Sequence, residues 1–270
     1  MVELVSLSDT ASIAEMKRAY LDSLTAPLDG YWQAAIIDPA PHWALVADGR
    51  PLGYFAADEK KRLLQFYASE KAGDLFAAVI GSEMVATAVA GANDPAFLSL
   101  CLDAQKQVMV NTFLFHDTRP VDPALPAYPQ AAFRPAAAQD LERLLAFYDR
   151  NDEFANADAI EENFGGQRTY VQSLIANQQV FVLEEGSALL GVGECRRSVS
   201  QPPYADIGMI VDKARRRRGV GGFILARLKA HCASQNTVPI CSCAADNLAS
   251  RKTIEKAGFV AYHRLMNVVF

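Results

Sequence analysis

The sequence predicts a mixed α/β protein built as two similar domains in tandem, and three observations lead there. Runs rich in β-formers alternate with segments of helical apolar spacing along the chain. Pro120, Pro123, Pro126 and Pro129 recur at every third residue, which suits an extended, stiff connector. The order of elements before that connector repeats after it, and duplication of one fold accounts for such self-similarity. The expected division is therefore 1–118, a linker at 119–130, and 131–270. A chain of 270 residues is long enough for two compact cores.

In the first half, apolar periodicity predicts a helix over Ser12–Leu24, strands at Trp43–Ala47, Leu52–Ala57 and Leu63–Ala68, and a helix at Gly73–Ile80. Ala92-Asn93-Asp94-Pro95-Ala96 precedes another helix, and the β-rich run Val108–Phe115 closes the half. The second half opens with a strand at Ala131–Arg134 and a helix over Gln139–Tyr148, on which Leu141, Leu144, Leu145 and Tyr148 share one face. A helix at Gly166–Asn177 and strands at Val180–Glu184, Ala188–Arg197 and Tyr204–Val211 follow. Next come a helix from about Val220 to Cys232, a strand at Pro239–Ala244, a helix at Ala249–Lys256 and a β-rich ending, Val260–Phe270. Ala245-Asp246-Asn247-Leu248-Ala249 stands where Ala92–Ala96 stood in the first half. Helices packed on a central sheet are the expected architecture of each half.

Composition narrows the function classes. Hydrophobic residues make up 51% and charged residues 21%, which is globular composition. No apolar run is long enough to span a bilayer, and Met1-Val2-Glu3-Leu4 lacks the basic start of a secretory signal, so a cytoplasmic protein without a membrane partner is expected. The net charge is −5 despite four consecutive arginines, Arg215 to Arg218, and this disfavours a general nucleic-acid binder. Five cysteines, an odd number, do not form a disulfide framework in a chain of this size. Cys241 and Cys243 read as buried strand residues facing opposite sides. The four histidines show no zinc-ligand spacing with the cysteines, so no metal is expected.

The loop between Val211 and the helix at Val220 carries the chemistry. Glycines at a strand-to-helix turn let backbone N–H groups and the positive end of the helix point at an anion. A Walker-type loop would need Gly-Lys-Ser/Thr, which Gly221-Gly222-Phe223 does not supply, and Gly219, Gly221 and Gly222 do not follow G-x-G-x-x-G. What remains, Arg216-Arg217-Arg218-Gly219-Val220-Gly221, is R-x-x-G-x-G, and it resembles the acetyl-CoA loop of the GNAT superfamily of N-acyltransferases. Residues on both sides follow that family's order. Ala205-Asp206-Ile207-Gly208-Met209-Ile210-Val211-Asp212 resembles its fourth strand, and Ala244 to Ser250, continuing to Phe259, resembles its fifth strand and fourth helix. The resemblance spans roughly Gln130 to Phe270. The first half repeats the order, but its corresponding connection, Ala68-Ser69-Glu70-Lys71-Ala72-Gly73, has one glycine and no arginine and reads as a degenerate copy.

The resemblance implies two tandem GNAT-like domains, each a central, mostly antiparallel mixed sheet flanked by helices, with catalysis in the second. It implies acetyl-CoA as cosubstrate, no metal, and direct attack on the acetyl group by a primary amine of a small molecule or peptide in a ternary complex. The amides of Arg217 to Gly222, including Arg218, Gly219, Val220 and Gly221, would hold the pyrophosphate, with the arginine side chains, Arg216 among them, near it or near the ribose 3′-phosphate. The strand edge at Met209, Ile210 and Val211 would pair with the pantetheine arm. An ammonium with a pKa of about 10.4 must lose a proton before attack. Asp206 occupies the family position of an acidic base, acting directly or through a water, and Glu194 is the reserve, which Arg196 or Arg197 could simply neutralise. Many relatives protonate the departing thiolate with a tyrosine on the fourth helix; here that position is Ile254. Asn247 and Ser250 match family positions near the pantetheine and sulfur, with Ser250 a possible donor and helix capping the other reading of both.

Two further points stay open in the sequence. The acidic stretch Asp149–Asp158 with Glu161 and Glu162 is either a lure for a cationic acceptor or a solvated loop and helix start. The missing tyrosine also admits a non-catalytic CoA-binding or sensing module, and Arg215–Arg218 a nucleic-acid contact that salt would abolish.

Overall fold

The computed structural model describes residues 2–151 and 165–270. The chain falls into two compact units, one comprising Met1–Leu28, Trp32–Phe113 and His263–Phe270, the other Asp29–Tyr31 and Leu114–Tyr262. No single cut in the sequence separates them. A short piece near residue 30 belongs to the second unit, and the last eight residues belong to the first.

The first unit begins with β1 (Val2–Ser6), a 3-10 turn at Ala11–Ile13 and α1 (Ala14–Ser23). It continues through β2 (His42–Ala47), β3 (Arg50–Ala57), β4 (Arg62–Ala68), α2 (Ala72–Ile80), β5 (Thr87–Gly91) and α3 (Pro95–Ala104) to β6 (Gln107–Asp117), whose first seven residues lie in this unit. β1 through β4 pair antiparallel in chain order, whereas β4 and β5 run parallel and pair only at Arg62–Thr87 and Leu63–Ala88. On its other side β5 pairs antiparallel with the chain's last residues, Leu265 to Val269. Phe55, Leu63, Phe66, Leu75, Phe76, Phe97 and Val268 fill one core under α2 and α3. Ile13, Tyr20, Tyr54 and Leu64 form another against α1. Sequence periodicity misses β1 and β5. β5 is Thr-Ala-Val-Ala-Gly, whose small residues carry little β preference and are held in the sheet by their neighbours.

In the second unit the strands are β7 (Ala132–Pro135), β8 (Val180–Glu185), β9 (Ala188–Arg197), β10 (Tyr204–Val211) and β11 (Val238–Ala244), with β12 (Phe259–Val269) entering through its first four residues. The helices are α4 (Leu141–Arg150), α5 (Gln167–Ala176), α6 (Val220–Ser234) and α7 (Leu248–Lys256). β7 through β10 pair antiparallel in chain order. β10 and β11 run parallel, paired from Tyr204–Val238 to Asp206–Ile240 and no further. The short parallel pair that then separates is the same device that β4 and β5 use in the first unit. α4 and α5 cover one face of the sheet around Leu144, Phe147, Tyr148 and Val171. α6 covers the other, and Gly191 and Gly193 make room for it. A Cβ at either would stand under 3.0 Å from Ile224.

The repeated helix entrances match as the sequence pattern indicates. The Asp94 carboxylate accepts from Phe97 N–H at 3.0 Å, and the Asn247 side chain accepts from Ser250 N–H at 3.0 Å, each capping its helix three residues on. The five cysteines are free thiols and buried. Cys241 and Cys243 require a correction: two residues apart on β11, they share a face rather than opposing one another, and burial above all, with Cys243 adding to it, raises the Cys241 thiol. No helix among the described residues is long and apolar enough to cross a membrane.

Candidate active site

Asp212 starts the loop after β10, its carboxylate accepting from Ala214 N–H at 2.9 Å. Arg217 and Gly219 then take positive φ, +64° and +83°. This alternation turns successive amides toward one side, the arrangement that makes an anion nest. The first bond of α6 runs from Phe223 N–H to Gly219 O, at 3.0 Å. The amides from Arg217 to Gly222 have no acceptor among the described residues. They are joined by the positive end of a fifteen-residue helix.

The glycines of this loop are required by packing. A Cβ on Gly219 would lie 2.5 Å from Pro126 Cδ, one on Gly222 2.6 Å from Leu125, and one on Gly221 3.1 Å from both Met209 Sδ and Thr253 Cγ2. Pro126 and Leu125 belong to the proline-rich segment, and here the expected stiff connector is corrected. The segment is a docked strap of the second unit. Arg119 N–H donates to Gly258 O and Asp122 N–H to Lys256 O, both at 2.9 Å. Tyr128 donates its hydroxyl to Arg218 O and stacks edge-on with Phe223 at 5.3 Å. The segment is not uniformly extended: Leu125 N–H donates to Asp122 O and Ala131 N–H to Tyr128 O, both at 3.1 Å, and these bonds close two turns.

Between strap, loop and α7 opens a cleft of about 730 Å³. Arg119, Arg217, Arg218, Lys252 and Lys256 line it, and none of these cations has a carboxylate within ion-pair distance among the described residues. The two acids at its rim are engaged, Glu255 by Arg251 at 3.0 Å and Asp122 by Ala124 N–H at 2.9 Å. A strongly positive cleft in a protein of net charge −5 fits a ligand bearing several phosphates. Arg119 of the strap and Lys252 and Lys256 of α7 escape sequence reading because only folding brings these two segments to the loop after β10.

Beyond Asp206 the separation of β10 from β11 leaves a cavity of about 200 Å³, lined by Glu194, Gly208, Met209, Ile210, Ser242, Ser250 and Ile254 among others. Gly208 has nothing within 4 Å of where a Cβ would stand, so its face is open. Gly208 lies opposite Glu194, and Asp206 opposite Arg196, which puts all four on one face of the sheet.

Glu194 accepts from Tyr148 Oη at 2.9 Å and Tyr170 Oη at 3.1 Å, and also from Arg196. The second guanidinium nitrogen of Arg196 reaches Asp206 Oδ2 at 2.9 Å. Asp206 is only 4% exposed. Burial is the main cause that pushes its pKa up to about 7, the Asp29 carboxyl adds to it, and Arg196 opposes it. Burial likewise raises the Tyr148 and Tyr170 phenols, which stay protonated as donors. The alternation Glu194-x-Arg196 was visible in the sequence, whereas the tyrosines read only as apolar helix positions.

Asn247 caps α7, and Ser250 and the buried Ile254 both border the cavity. Of the acidic stretch, Asp152 to Asp158 and Glu161 and Glu162 lie outside the described residues. Arg150 pairs with Asp212 at 3.0 Å and Asn151 accepts from Lys213 N–H at 2.8 Å, tying the end of α4 to the loop after β10. No group of three metal-ligating side chains gathers among the described residues.

Two family matches carry the description acetyltransferase (GNAT) domain, one over residues 9–118 and one over residues 131–260. No curated protein matches. Among solved structures, a GNAT-family acetyltransferase from Colwellia psychrerythraea is 25% identical, with each chain covered to 99% and a TM-score of 0.89. A tandem GNAT protein from the clavulanic acid biosynthesis pathway matches at 14% identity and TM-score 0.62, with 99% of this chain and 97% of that one covered. A GCN5-related N-acetyltransferase from Sphaerobacter thermophilus matches at 15% and 0.63, with 98% and 94% covered. The last two show the fold alone. With both halves matched, the chain belongs to the GNAT acetyltransferase family and carries two of its domains in tandem.

Proposed function

We propose that the second unit transfers an acetyl group from acetyl-CoA to a primary amine by direct attack in a ternary complex. The observation that carries this reading is the run of amides from Arg217 to Gly222, at the rim of a cleft lined by five cations, for which no partner stands among the described residues. These groups suit the diphosphate and 3′-phosphate of coenzyme A, with the amides taking the former and Arg119, Lys252 and Lys256 available to the latter. Past Asp206, the β10 edge at Met209 to Val211 is released from β11, which leaves main-chain groups free to pair with an extended pantetheine arm. When bound, the cosubstrate supplies the acetyl group as a thioester. The two strands hold it in line with the cavity beside Gly208, and this positioning accounts for much of the rate.

Asp206 is assigned as the base. A carboxyl with a pKa near 7 accepts the ammonium proton at neutral pH and is half ionised there. Its burial favours transfer through a water. Glu194, whose oxygens are held by two phenols and a guanidinium, orients Arg196 and borders the cavity. Ser250 is the hydroxyl assigned to the departing sulfur, since Ile254 leaves no phenol there.

The second reading, a CoA-binding or sensing module, draws on that same Ile254. Calorimetry with CoA, together with thiol release from acetyl-CoA in the presence of polyamines, aminoglycosides, amino acids and peptides, separates the two. CoA uptake with acceptor-dependent thiol release supports the enzyme, CoA uptake without release supports the module, and no uptake overturns both.

A further inference from the structure

Asp206 is roofed by a piece of chain from far away in the sequence. Asp29-Gly30-Tyr31 is flanked on both sides by first-unit residues, yet it belongs to the second unit. Gly30 presses on the candidate base: a Cβ there would stand 3.1 Å from Asp206 Cβ and 3.5 Å from Oδ2. Any side chain at position 30 therefore displaces either the segment or the carboxyl. The preceding residue, Asp29, is 7% exposed. A second acid is thus buried in the chain that covers the first.

Among the described residues, the charged and titratable groups around Asp206 are few. β9 supplies Arg196, in contact at 2.9 Å, and Glu194, which Tyr148 of α4 and Tyr170 of α5 engage. Cys195 on β9 and Cys241 on β11 both feel the Asp206 charge, and the roofing segment supplies Asp29. Arg196 is the one cation in this set. Left to Arg196 alone, a carboxyl would fall below the ordinary carboxylate range and be a weak base. Two features work against that outcome, exclusion of water and a like-charged neighbour, and the segment at residues 29–31 contributes to both.

Resting on the reading of Asp206 as the base, we propose that Asp29-Gly30-Tyr31 is a positioning element of the active site, in which Gly30 closes over Asp206 against bulk water and the same segment carries a second buried carboxyl, Asp29. The first half of the chain thereby supplies part of the chemistry of the second. The stretch 114–262 lacks it.

The test is a carboxyl titration of the full-length protein carrying carbon-13 aspartate, followed by NMR, with the Asp206 signal assigned by its loss in Asp206→Asn. In the wild type the midpoint is expected near 7. Asp29→Asn should lower it by about one pH unit, and Asp29→Glu, which keeps the charge, should hold it near the wild-type value. Gly30→Ala keeps the Asp29 carboxyl in the chain but displaces the roof or the Asp206 carboxyl, and it should lower the midpoint by letting water in. An unmoved midpoint in folded Asp29→Asn overturns the proposal; where that variant does not fold, an unmoved midpoint in Gly30→Ala does so. Turnover of Asp206→Asn tests the underlying assignment separately. Full activity there removes Asp206 as the base whatever the titration gives.

Discussion

Arg196 lies directly across the β9–β10 pair from Asp206 and donates to its Oδ2 at 2.9 Å, while its other terminal nitrogen holds Glu194. One planar guanidinium therefore neutralises two buried acids whose side chains share a sheet face. Removing it leaves both without a counter-charge.

Arg196→Ala should destabilise the fold by about 3–5 kcal/mol, the usual result of breaking a buried ion pair from one side. Arg196→Lys should recover little of this, because an ammonium cannot span two carboxylates as a fork does. Urea unfolding curves of the three proteins check both statements. A lysine variant as stable as the wild type would show that charge alone suffices.

Asp206 gives a pH dependence whose sign is fixed. Its folded pKa, pushed up to about 7, lies above the ordinary aspartate value of 3.8, so between these limits the folded chain holds a proton that the unfolded chain has released. This group's contribution to stability is full below about pH 4 and is lost as the pH rises to about 7. Comparing urea midpoints at pH 5 and pH 8, the wild type should lose stability that Asp206→Asn does not. Turnover runs the other way, rising through pH 7 as the base ionises. Asp206→Asn should cut kcat by roughly 10²–10⁴ while leaving CoA affinity unchanged by calorimetry.

The strap and the phosphate loop should prove energetically coupled. Gly222→Ala drives a methyl into Leu125, and Leu125→Ala opens the space again, so the double variant should be more stable than the sum of the singles implies. Gly219→Ala has no such relief. Its φ of +83° costs a β-carbon about 1–2 kcal/mol even before it meets Pro126, and CoA affinity should fall with the distorted amides. Thermal melts and calorimetry on the four proteins decide the matter.

Asn247 has a measurable structural duty. Replacing it by Ala should lower stability by about 1 kcal/mol through loss of the bond from Ser250 N–H, whereas Asn247→Asp should be close to neutral. If Asn247→Asp loses CoA affinity at full stability, the side chain also meets the cosubstrate.

Much of the fold was legible because it rests on local signals. The helical apolar spacing of Leu141, Leu144, Leu145 and Tyr148, the β-rich run of β10, the helix entrance at Ala92–Ala96 and the cap at Asn247 are properties of short windows, and the structure puts elements where they indicate. R-x-x-G-x-G likewise marked the strand-to-helix loop. The reason for its glycines was not legible, because Leu125 and Pro126 sit almost a hundred residues earlier in the chain.

By itself, the sequence determined the order of elements, the doubled GNAT pattern and the position of the glycine-bearing strand-to-helix loop, since periodicity, capping and turn chemistry act over a few residues. Tertiary structure alone decided that the proline segment is a strap, that Arg119, Lys252 and Lys256 face one cleft, and that Asp29-Gly30-Tyr31 closes over Asp206. Burial and charge at a site are sums over everything packed around it, and no window of the chain contains those neighbours.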